Sequence, residues 1–312
     1  MRVAIFADET GWHTRQLQAA LRARGAQGRC VDLAECRIDT GVSWHGLVIP
    51  GFGRELPDAA IVRGIAGGSF EQVTRRLGLL HALRELGVPV YNDARAIERS
   101  VDKAMTSQLL HAAGVPTPPT WCCESAAQAR RLVMAEGAAG RALVLKPLFG
   151  SQGKGLRLVG SVDGEPQALP ALDAGYGCLA YLQRFIPPLA DPGFDWRVLV
   201  VGGRAIAAMR RVSRHWVHNV AQGARGEPAP LCPALAALAE DAARALGMDY
   251  AGVDILPAAA PTPLLVIEVN GVAAWHGLQK VTPFNIARAL VHDLLDRRLA
   301  RERPLAETAC RA

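Results

Sequence analysis

Apolar residues in the first 92 positions occur in short continuous runs, separated by longer stretches with helical spacing. Continuous runs are typical of strands buried on both faces, and amphipathic stretches are typical of the helices that cover them. Ser69 and Gln72, three positions apart, form a capping box at the start of one such helix. The pattern predicts helices at residues 14–24 and 69–86, and strands at residues 3–7, 30–33, 46–49, 59–62 and 88–91. This order predicts a parallel sheet covered by helices.

The rest of the chain contains more strands than helices. The pattern predicts a strand ending at Lys146, further strands at residues 156–159, 178–186, 195–201, 204–211, 250–256 and 264–270, and helices at residues 101–113, 125–136, 233–246 and 283–297. Gly202 and Gly203 form a two-residue hairpin signal between two of these strands. Counting back from that turn places Arg197 and Arg210 on one face of the hairpin and Arg211 on the other.

Three polar side chains interrupt the two apolar strands near the C-terminus. Glu268 and Asn270 lie on one face of their strand, roughly 6–7 Å apart. If the strand at residues 250–256 pairs with it, Asp254 comes onto the same face at about 5 Å. Oxygen ligands that converge among apolar residues suit a hard cation such as Mg²⁺, which keeps positions for phosphate and water. The alternative is a half-exposed hairpin with solvated acids.

A glycine-rich loop with Gly150, Gly153 and Gly155 lies between two predicted strands. Glycines allow sharp turns in which successive N–H groups point at one place, which suits phosphate oxygens. The loop is not a Walker motif, because strands flank it on both sides and no Gly-Lys-Ser or Gly-Lys-Thr sequence opens a helix. A purely structural hairpin is the alternative.

Arg63 follows a predicted strand of the parallel sheet and so faces the crevice where open sheets bind ligands. It is a candidate for holding a substrate anion, and a surface arginine is the alternative. The glycine fingerprint of dinucleotide-binding folds does not follow the first strand, so we expect no dinucleotide there.

Composition narrows the functional classes. The 312 residues are enough for two or three domains, and 50% of them are hydrophobic and 21% charged. No apolar run approaches the length of a membrane span, no signal peptide is evident, and seven scattered cysteines show no zinc spacing, so we expect a cytoplasmic protein without a membrane role. The net charge of +6 comes without basic runs, and aromatic residues are only 5%, so nucleic-acid binding is not expected.

An ordered set of segments resembles the ATP-grasp ligases over nearly the whole chain. The segments are AIERSVDKAMTSQLL, LVLKPLFGSQGKG, DWRVLVVGG, HWVHNVAQGA, AGVDIL and VIEVN. Within that superfamily the chain is most similar to RimK-type α-glutamate ligases. The segments IVRGIAGGSFEQVTRRLGLLHALRELGVPVYN and VNGVAAWHGLQKVTPFNIA look most like the tetrahydromethanopterin α-L-glutamate ligase branch.

This resemblance implies an α/β fold of the α+β ATP-grasp type. It implies a Rossmann-like N-terminal domain (residues 1–95), a central lid (96–182), a C-terminal domain with the metal site (183–300) and a loosely ordered tail (301–312). ATP would be held between the central and C-terminal domains.

The resemblance also implies the site residues. Lys103 and Lys146 would hold the ATP phosphates, and the loop at residues 149–155, with Gly150, Ser151, Gly153 and Gly155, would close over them. Asp254, Glu268 and Asn270 would bind Mg²⁺, as two ions, with Mn²⁺ as an alternative metal. The nucleotide- or phosphate-binding positions of the family match Asp195, Arg197 and Asn219. An arginine expected at the transferring phosphoryl group matches Arg211. The similarity therefore favours Arg211 as the neighbour of Arg197, whereas the hairpin count favours Arg210. We follow the similarity, because a bulge would reverse the count.

Two departures from the family pattern concern specificity. The hinge, which usually carries an acidic residue before its aromatic, reads Gln183, Arg184 and Phe185. Its backbone could still hydrogen-bond an adenine. After Asn270, RimK-type enzymes usually continue with Ser-Pro-Gly, whereas this chain has Gly-Val-Ala-Ala-Trp, which ends at Trp275. The acceptor therefore need not be a ribosomal protein.

The implied chemistry is carboxylate activation. A small-molecule carboxylate acceptor attacks the γ-phosphate of ATP, and the amine of L-glutamate converts the acyl phosphate into an amide. His218 and His276 are candidates for assisting proton transfer, and Trp216 and Trp275 for lining a pocket for a folate-like acceptor. The alternatives are a protein or peptide acceptor beside Arg63, and a nucleotide-binding regulator without catalysis. A homo-oligomer is left open.

Overall fold

The computed structural model describes residues 1–150 and 152–299. Their strands form three main sheets and one short hairpin. The predicted position of Ser151 in the loop and the predicted tail lie outside the described residues. The domain boundaries drawn from the sequence stay a prediction.

The N-terminal residues form a parallel sheet with helices on both faces. Its elements in chain order are β1 (Arg2–Phe6), α1 (Trp12–Arg22), β2 (Gln27–Val31), β3 (Arg37–Ile38), β4 (Leu47–Val48), β5 (Ala59–Val62), α2 (Phe70–Glu85) and β6 (Val90–Tyr91). The sheet order is β2-β1-β5-β6. Because side chains alternate along β1, Val3 and Ile5 pack with α1, whereas Ala4 and Phe6 pack with α2. The predicted parallel sheet and the capping box at Ser69 are confirmed.

Two of the predicted strands are placed differently. Strand β2 begins at Gln27, three residues before the predicted start, because it is an edge strand with one exposed face and needs no continuous apolar run. The segment predicted at residues 46–49 does not join the parallel sheet. Only Leu47–Val48 is extended, and it pairs with β3. Gly46, with φ of +77°, and Pro50, which lacks a backbone donor, bound it on either side.

The middle of the chain forms an antiparallel sheet preceded by two helices. The elements are α3 (Ala94–Val101), α4 (Lys103–Ala112), β7 (Thr120–Cys123), α5 (Ala126–Ala138), β8 (Ala142–Lys146), β9 (Arg157–Val162), β10 (Glu165–Gln167) and β11 (Ala180–Arg184). The sheet order is β10-β9-β8-β11-β7. The helix predicted at residues 101–113 is α4, which begins at Lys103 because the Asp102 carboxylate accepts hydrogen bonds from the backbone N–H groups of Ala104 and Met105. The helix before it, α3, was not predicted.

The C-terminal part forms a second antiparallel sheet. Its elements are β12 (Gly193–Val201), β13 (Arg204–Ser213), β14 (Arg225–Pro228), α6 (Pro233–Leu246), β15 (Tyr250–Pro257), β16 (Leu264–Asn270), α7 (His276–Gln279) and α8 (Ile286–His292), and a π-helical segment (Asp293–Arg298) continues α8. The sheet order is β14-β13-β12-β15-β16. Val198, Val200 and Val253 on one face pack against the alanine-rich side of α6.

The opposite face of this sheet packs against the N-terminal part. Leu199 and Tyr250 share one buried cluster with Ile5 and with α8. Asn92, which is fully buried, ties the two parts together, since its side chain donates to the backbone oxygens of Tyr250 and Gly271, each at 2.6 Å. The free part of this face forms one wall of the cleft described below. Within residues 1–150 and 152–299, no helix is long and apolar enough to cross a membrane.

Candidate active site

Pairing of β15 with β16 sets the metal-ligand candidates side by side. Asp254 lies directly opposite Glu268, and Asn270 lies opposite Gly252. Asp254 is buried, whereas Glu268 is partly exposed on the cleft wall. The amide nitrogen of Asn270 donates to the Gly252 backbone oxygen at 3.2 Å, which fixes the side chain. The structure therefore brings two carboxylates and an amide onto one face of the sheet.

A bulge determines which arginine joins them. The register between β12 and β13 shifts after Leu199, and Ile206 is the extra residue. As a result Arg211 lies opposite Asp195, on the face of Arg197, whereas Arg210 lies opposite Trp196 on the other face. The hairpin count that placed Arg210 beside Arg197 is wrong for this reason.

The two arginines enclose the buried carboxylate of Asp254. Arg197 donates to both of its oxygens, with Nη2 at 2.9 Å from Oδ2, and Arg211 Nη2 lies 2.9 Å from Oδ2. Arg211 also donates to both oxygens of Asp195, at 2.7 and 2.6 Å. Burial acts to raise the pKa of Asp254, but Arg197 and Arg211 together hold this pKa below its usual range. The network is therefore charge-balanced before any ligand binds.

His218 lies beside this network with its ring buried. Its Nδ1 is 4.0 Å from Asp195 Oδ2, and its Nε2 has no hydrogen-bond partner among the described residues. Burial, the charge of Arg211 and the neighbouring His215 lower the pKa of His218 to about 4. His218 is thus a neutral imidazole at physiological pH.

Two lysines face the acidic side of the cleft. Lys103 Nζ donates to the Gly150 backbone oxygen at 2.6 Å and lies 3.6 Å from Glu268 Oε1. Lys146, at the end of β8, donates from Nζ to Gln183 Oε1 at 2.7 Å. Burial, with help from the nearby charge of Lys103, lowers the pKa of Lys146 to about 8, and Glu268 opposes that shift. Both lysines are placed to meet an anion in the cleft.

The glycine-rich loop and the segment at residues 217–219 form the other wall of the cleft. Gly153 has φ of +71°, and a Cβ there would lie 2.7 Å from Val217 and 2.9 Å from Asn219 Oδ1. Only glycine allows this approach. The cleft collects most of the predicted residues: Lys103, Lys146, Gly150, Gly153, Gln183, Arg184, Phe185, Asp195, Arg211, Asn219, Asp254 and Glu268. Gly155 lines the adjoining groove, and Arg197 reaches the cleft through Asp254.

The hinge presents an apolar surface to the cleft. The side chain of Arg184 points to the opposite face of the sheet, where Nε donates to Glu136 at 2.9 Å. The backbone N–H of Arg184 donates to Pro119 and that of Phe185 to Ala142, so neither is free for a base. The ring of Phe185 meets Trp216 edge to face at 5.8 Å. Arg184 is therefore paired outside the cleft. The groups that Arg184 and Phe185 can offer to a base are their backbone carbonyl oxygens.

The two predicted substrate residues lie outside this cleft. Trp275 is completely buried, and Arg63 stacks on its ring with Cζ 4.4 Å from the ring centroid. Trp275 therefore cannot line an open pocket, and Trp216 lines the cleft beside Phe185. His276 is exposed and stacks on Trp12 at the N-terminal part. Sequence reasoning missed Tyr250 and His13, the partners of this group, because no local pattern links strands so distant in the chain.

The donor set fits a hard cation that shares its ligands with phosphate. Among residues 1–150 and 152–299, no three His, Cys, Asp or Glu side chains are grouped closely enough to hold a metal on their own. Glu268 and Asn270 offer a carboxylate and an amide oxygen, and Asp254 already accepts from two arginines. A Mg²⁺ ion here would need phosphate and water oxygens to complete its coordination, which is its usual preference.

Two protein-family models together match almost the whole chain. A family model described as the RimK-like ATP-grasp domain matches residues 100–294, and the RimK PreATP-grasp domain matches residues 1–97. The tetrahydromethanopterin:alpha-L-glutamate ligase of Methanococcus maripaludis is 31% identical over 302 residues, which cover 95% of this chain and 98% of the relative. The ligase of the same name from Methanosarcina acetivorans is 34% identical and covers 81% of each chain.

Solved structures show the same fold. The ATP-grasp ligase PsnB, complexed with minimal precursor, Mg and ADP, superposes with a TM-score of 0.68 at 22% identity, over 96% of this chain and 97% of PsnB. A RimK domain protein from Sphaerobacter thermophilus gives a TM-score of 0.65 at 24% identity, over 93% of this chain and 98% of that protein. The overall fold of this chain is therefore shared with proteins of low sequence identity.

Proposed function

Because the chain belongs to the RimK-like ATP-grasp family of ligases, we propose that it joins L-glutamate through its amine to a carboxylate of a tetrahydromethanopterin-like cofactor. ATP is converted to ADP and phosphate in the reaction. The observation that carries this proposal is the cleft itself, where Lys103, Lys146, Arg211 and Glu268 surround one space. Such a site positions and neutralises a phosphoryl group and needs no covalent nucleophile.

The nucleotide fits the cleft with its base at the hinge. Phe185 and Trp216 supply an apolar surface for the adenine, and Lys103 and Lys146 lie where the phosphates would reach. Asp254, Glu268 and Asn270 would hold Mg²⁺, as two ions, with Mn²⁺ as an alternative. When bound, the metal neutralises phosphate charge and orients the oxygens. Gly150, Gly153 and Gly155 keep the loop close enough to cover them.

Arg211 and Arg197 handle the charge that develops during phosphoryl transfer. In the structure both arginines bind Asp254, so they already lie beside the metal-ligand candidates. An acceptor carboxylate that attacks the γ-phosphate forms an acyl phosphate, and the glutamate amine then displaces phosphate. A guanidinium at this place would stabilise the negative charge on the transferring group.

The choice of acceptor rests on the methanogen relatives. Three ligases named for tetrahydromethanopterin are 31–34% identical to this chain. A peptide acceptor is the second candidate, because similar folds include PsnB solved with its precursor peptide and a macrocyclase bound with precursor peptide MdnA.

A panel of acceptors tests this proposal. The protein is incubated with ATP, Mg²⁺ and L-glutamate, and with a tetrahydromethanopterin-type acceptor, folic acid or a peptide ending in glutamate. ADP release and the product mass are measured, with AMPPNP in place of ATP as the control. We expect ADP and a glutamyl adduct with the pterin acceptor. If only the peptide turns over, the acceptor is a peptide and not a pterin. If no acceptor gives ADP-forming ligation, that result contradicts the proposal.

A further inference from the structure

Arg63 is held rigidly at the carboxyl end of the parallel sheet. Its backbone N–H donates to the Phe6 oxygen at 2.7 Å, directly after β5. Its Nη1 donates to the Tyr250 hydroxyl at 2.9 Å, and its guanidinium stacks on the ring of Trp275. Tyr250 in turn donates to the Val62 oxygen at 2.8 Å, which fixes the direction of its hydroxyl. The guanidinium is therefore oriented by uncharged groups.

This guanidinium has no carboxylate partner among the described residues. Among the described parts of the chain, no carboxylate lies within 4 Å of its nitrogens, although the side chain is half-buried and Nε is buried without a hydrogen-bond partner. A half-buried charge without a counter-ion destabilises the folded protein. The neighbouring residues nevertheless hold the guanidinium in this position. Planar guanidinium groups prefer a bidentate carboxylate.

His13 fixes the backbone at Trp275, the residue on which Arg63 stacks. Its Nε2 accepts hydrogen bonds from the backbone N–H groups of Trp275 and His276, at 3.1 and 3.2 Å, which requires an unprotonated Nε2. Burial, with the charges of Arg63 and His276, lowers the pKa of His13 to about 4. His13 is therefore neutral, and it holds Trp275, the wall on which Arg63 stacks, in place.

The group is connected to the phosphate cleft through close backbone packing. A Cβ built on Gly252 would lie 3.1 Å from Ala273, two residues before Trp275, and 3.2 Å from Arg197. Arg197 binds Asp254 on the cleft side. The segment after β16 that carries Trp275 thus packs against β15, the strand that carries Asp254.

We propose that Arg63, oriented by Trp275 and Tyr250, is the anchor of a carboxylate-binding subsite that takes a carboxylate of one of the two ligase substrates. The substrate carboxylate is held by the Nη1 and Nη2 end of the guanidinium, because Nε is buried and Nη1 has a second N–H besides the one that it donates to Tyr250. The proposal rests on the proposed function and deepens it, since the anchored substrate is one that reacts in the neighbouring cleft. The carboxylate has two sources, L-glutamate or the acceptor.

The test compares Arg63→Met with Arg54→Met. Arg54 is a matched control, because it is exposed and stacks on Trp44 with Cζ 5.4 Å from the ring centroid, in the same N-terminal part. L-glutamate and, separately, folic acid are titrated calorimetrically into protein loaded with Mg²⁺ and AMPPNP. We expect Arg63→Met to weaken at least one of them by about tenfold or more, as for loss of a charge-assisted bidentate pair. Arg54→Met keeps both affinities.

The arm that weakens identifies the source of the carboxylate. Loss for L-glutamate assigns the subsite to the amino acid, and loss for folic acid assigns it to the acceptor. Arg63→Lys, which keeps the charge on a slender chain, should bind with intermediate affinity. Unchanged affinities in both Arg63 variants, or no binding of either probe to the wild-type protein, overturn the subsite.

The same titrations separate this inference from the proposed ligase reaction. AMPPNP affinity is measured in every variant and should not change, because Arg63 lies outside the nucleotide cleft. Arg63-dependent binding without turnover in the acceptor panel leaves the subsite standing and rejects the acceptors. Turnover combined with binding that does not depend on Arg63 rejects the subsite and leaves the acceptors standing.

Discussion

Two arginines neutralise the Asp254 carboxylate in the structure. Each of its oxygens accepts from Arg197, and Oδ2 also lies 2.9 Å from Arg211. A buried carboxylate alone would be strongly destabilising, so the two arginines stabilise Asp254 in its charged form. A bound nucleotide would bring phosphate oxygens that compete for the same guanidinium groups. We therefore expect the two arginines to redistribute their hydrogen bonds when ATP enters.

Glu268 is the carboxylate in the cleft that no arginine of the described chain engages. Glu268→Gln should keep the fold and lower kcat by at least about 100-fold, because an anion is lost from a site built on charge. Steady-state ADP release measures the effect. Glu227→Gln is the control, since Glu227 pairs with Arg210 in the same sheet and does not line the cleft. Near-normal turnover of Glu268→Gln with unchanged Mg²⁺ dependence contradicts the metal assignment.

Lys146 provides a pH-dependent prediction. Burial lowers the pKa of Lys146 to about 8, so the side chain is charged below that pH and increasingly neutral above it. ATP affinity should therefore fall as pH rises from 7 to 9, by up to about tenfold per unit above the pKa. Fluorescence or calorimetric titration of ATP checks this.

Lys146→Arg serves as the diagnostic variant, because arginine stays protonated over this range and should flatten the profile. Lys280→Arg, at an exposed position outside the cleft, should leave the wild-type profile intact. A profile that is flat in the wild-type protein, or that persists in Lys146→Arg, rejects the role of Lys146.

At the scale of elements, the glycine-rich loop accepts its hydrogen bonds from the side chains of Lys103, Tyr176 and Gln222. The Gln152 backbone oxygen accepts from Gln222 at 3.1 Å, and the Gly150 oxygen accepts from Lys103. Lys154 and Arg157 are exposed, as is the ring of Phe149. Such a segment opens at low free-energy cost unless a ligand holds it closed.

We predict that trypsin cuts preferentially at Lys154 or Arg157 in the free protein and that ATP with Mg²⁺ protects both sites. Mass spectrometry of the early fragments gives the cleavage rates. Cutting at Arg204, the first residue of β13 and away from the cleft, should not respond to nucleotide. Equal rates at the loop with and without nucleotide favour a purely structural hairpin.

The β12–β13 hairpin shows where prediction from sequence reaches its limit. Alternation along the chain places Glu268 and Asn270 on one face, and the paired strands add Asp254, so this part of the site follows from local rules. The face of Arg211 depends on one extra residue, Ile206, which no local pattern reveals. Only the resemblance to known ligases pointed to Arg211.

At the scale of the whole molecule, long-range packing determines the features that local sequence patterns do not predict. The parallel sheet and the strand-rich remainder follow from hydrophobic patterning. The burial of Trp275 does not, because it requires the C-terminal sheet to pack on the N-terminal part through Leu199, Ile5 and α8. The same packing brings Tyr250 to Arg63, 187 residues away in the sequence. Non-local contacts of this kind leave no periodic signal in the chain.

In the proposed reaction, an acyl phosphate links ATP to amide formation in one cleft. The most direct measurement follows ¹⁸O from the carboxylate of the acceptor that turns over. With both carboxylate oxygens labelled, one must leave with the phosphoryl group, so mass spectrometry should find labelled inorganic phosphate and an amide that retains the other label. Label that stays wholly in the amide product, or release of AMP and pyrophosphate in place of ADP, contradicts the account.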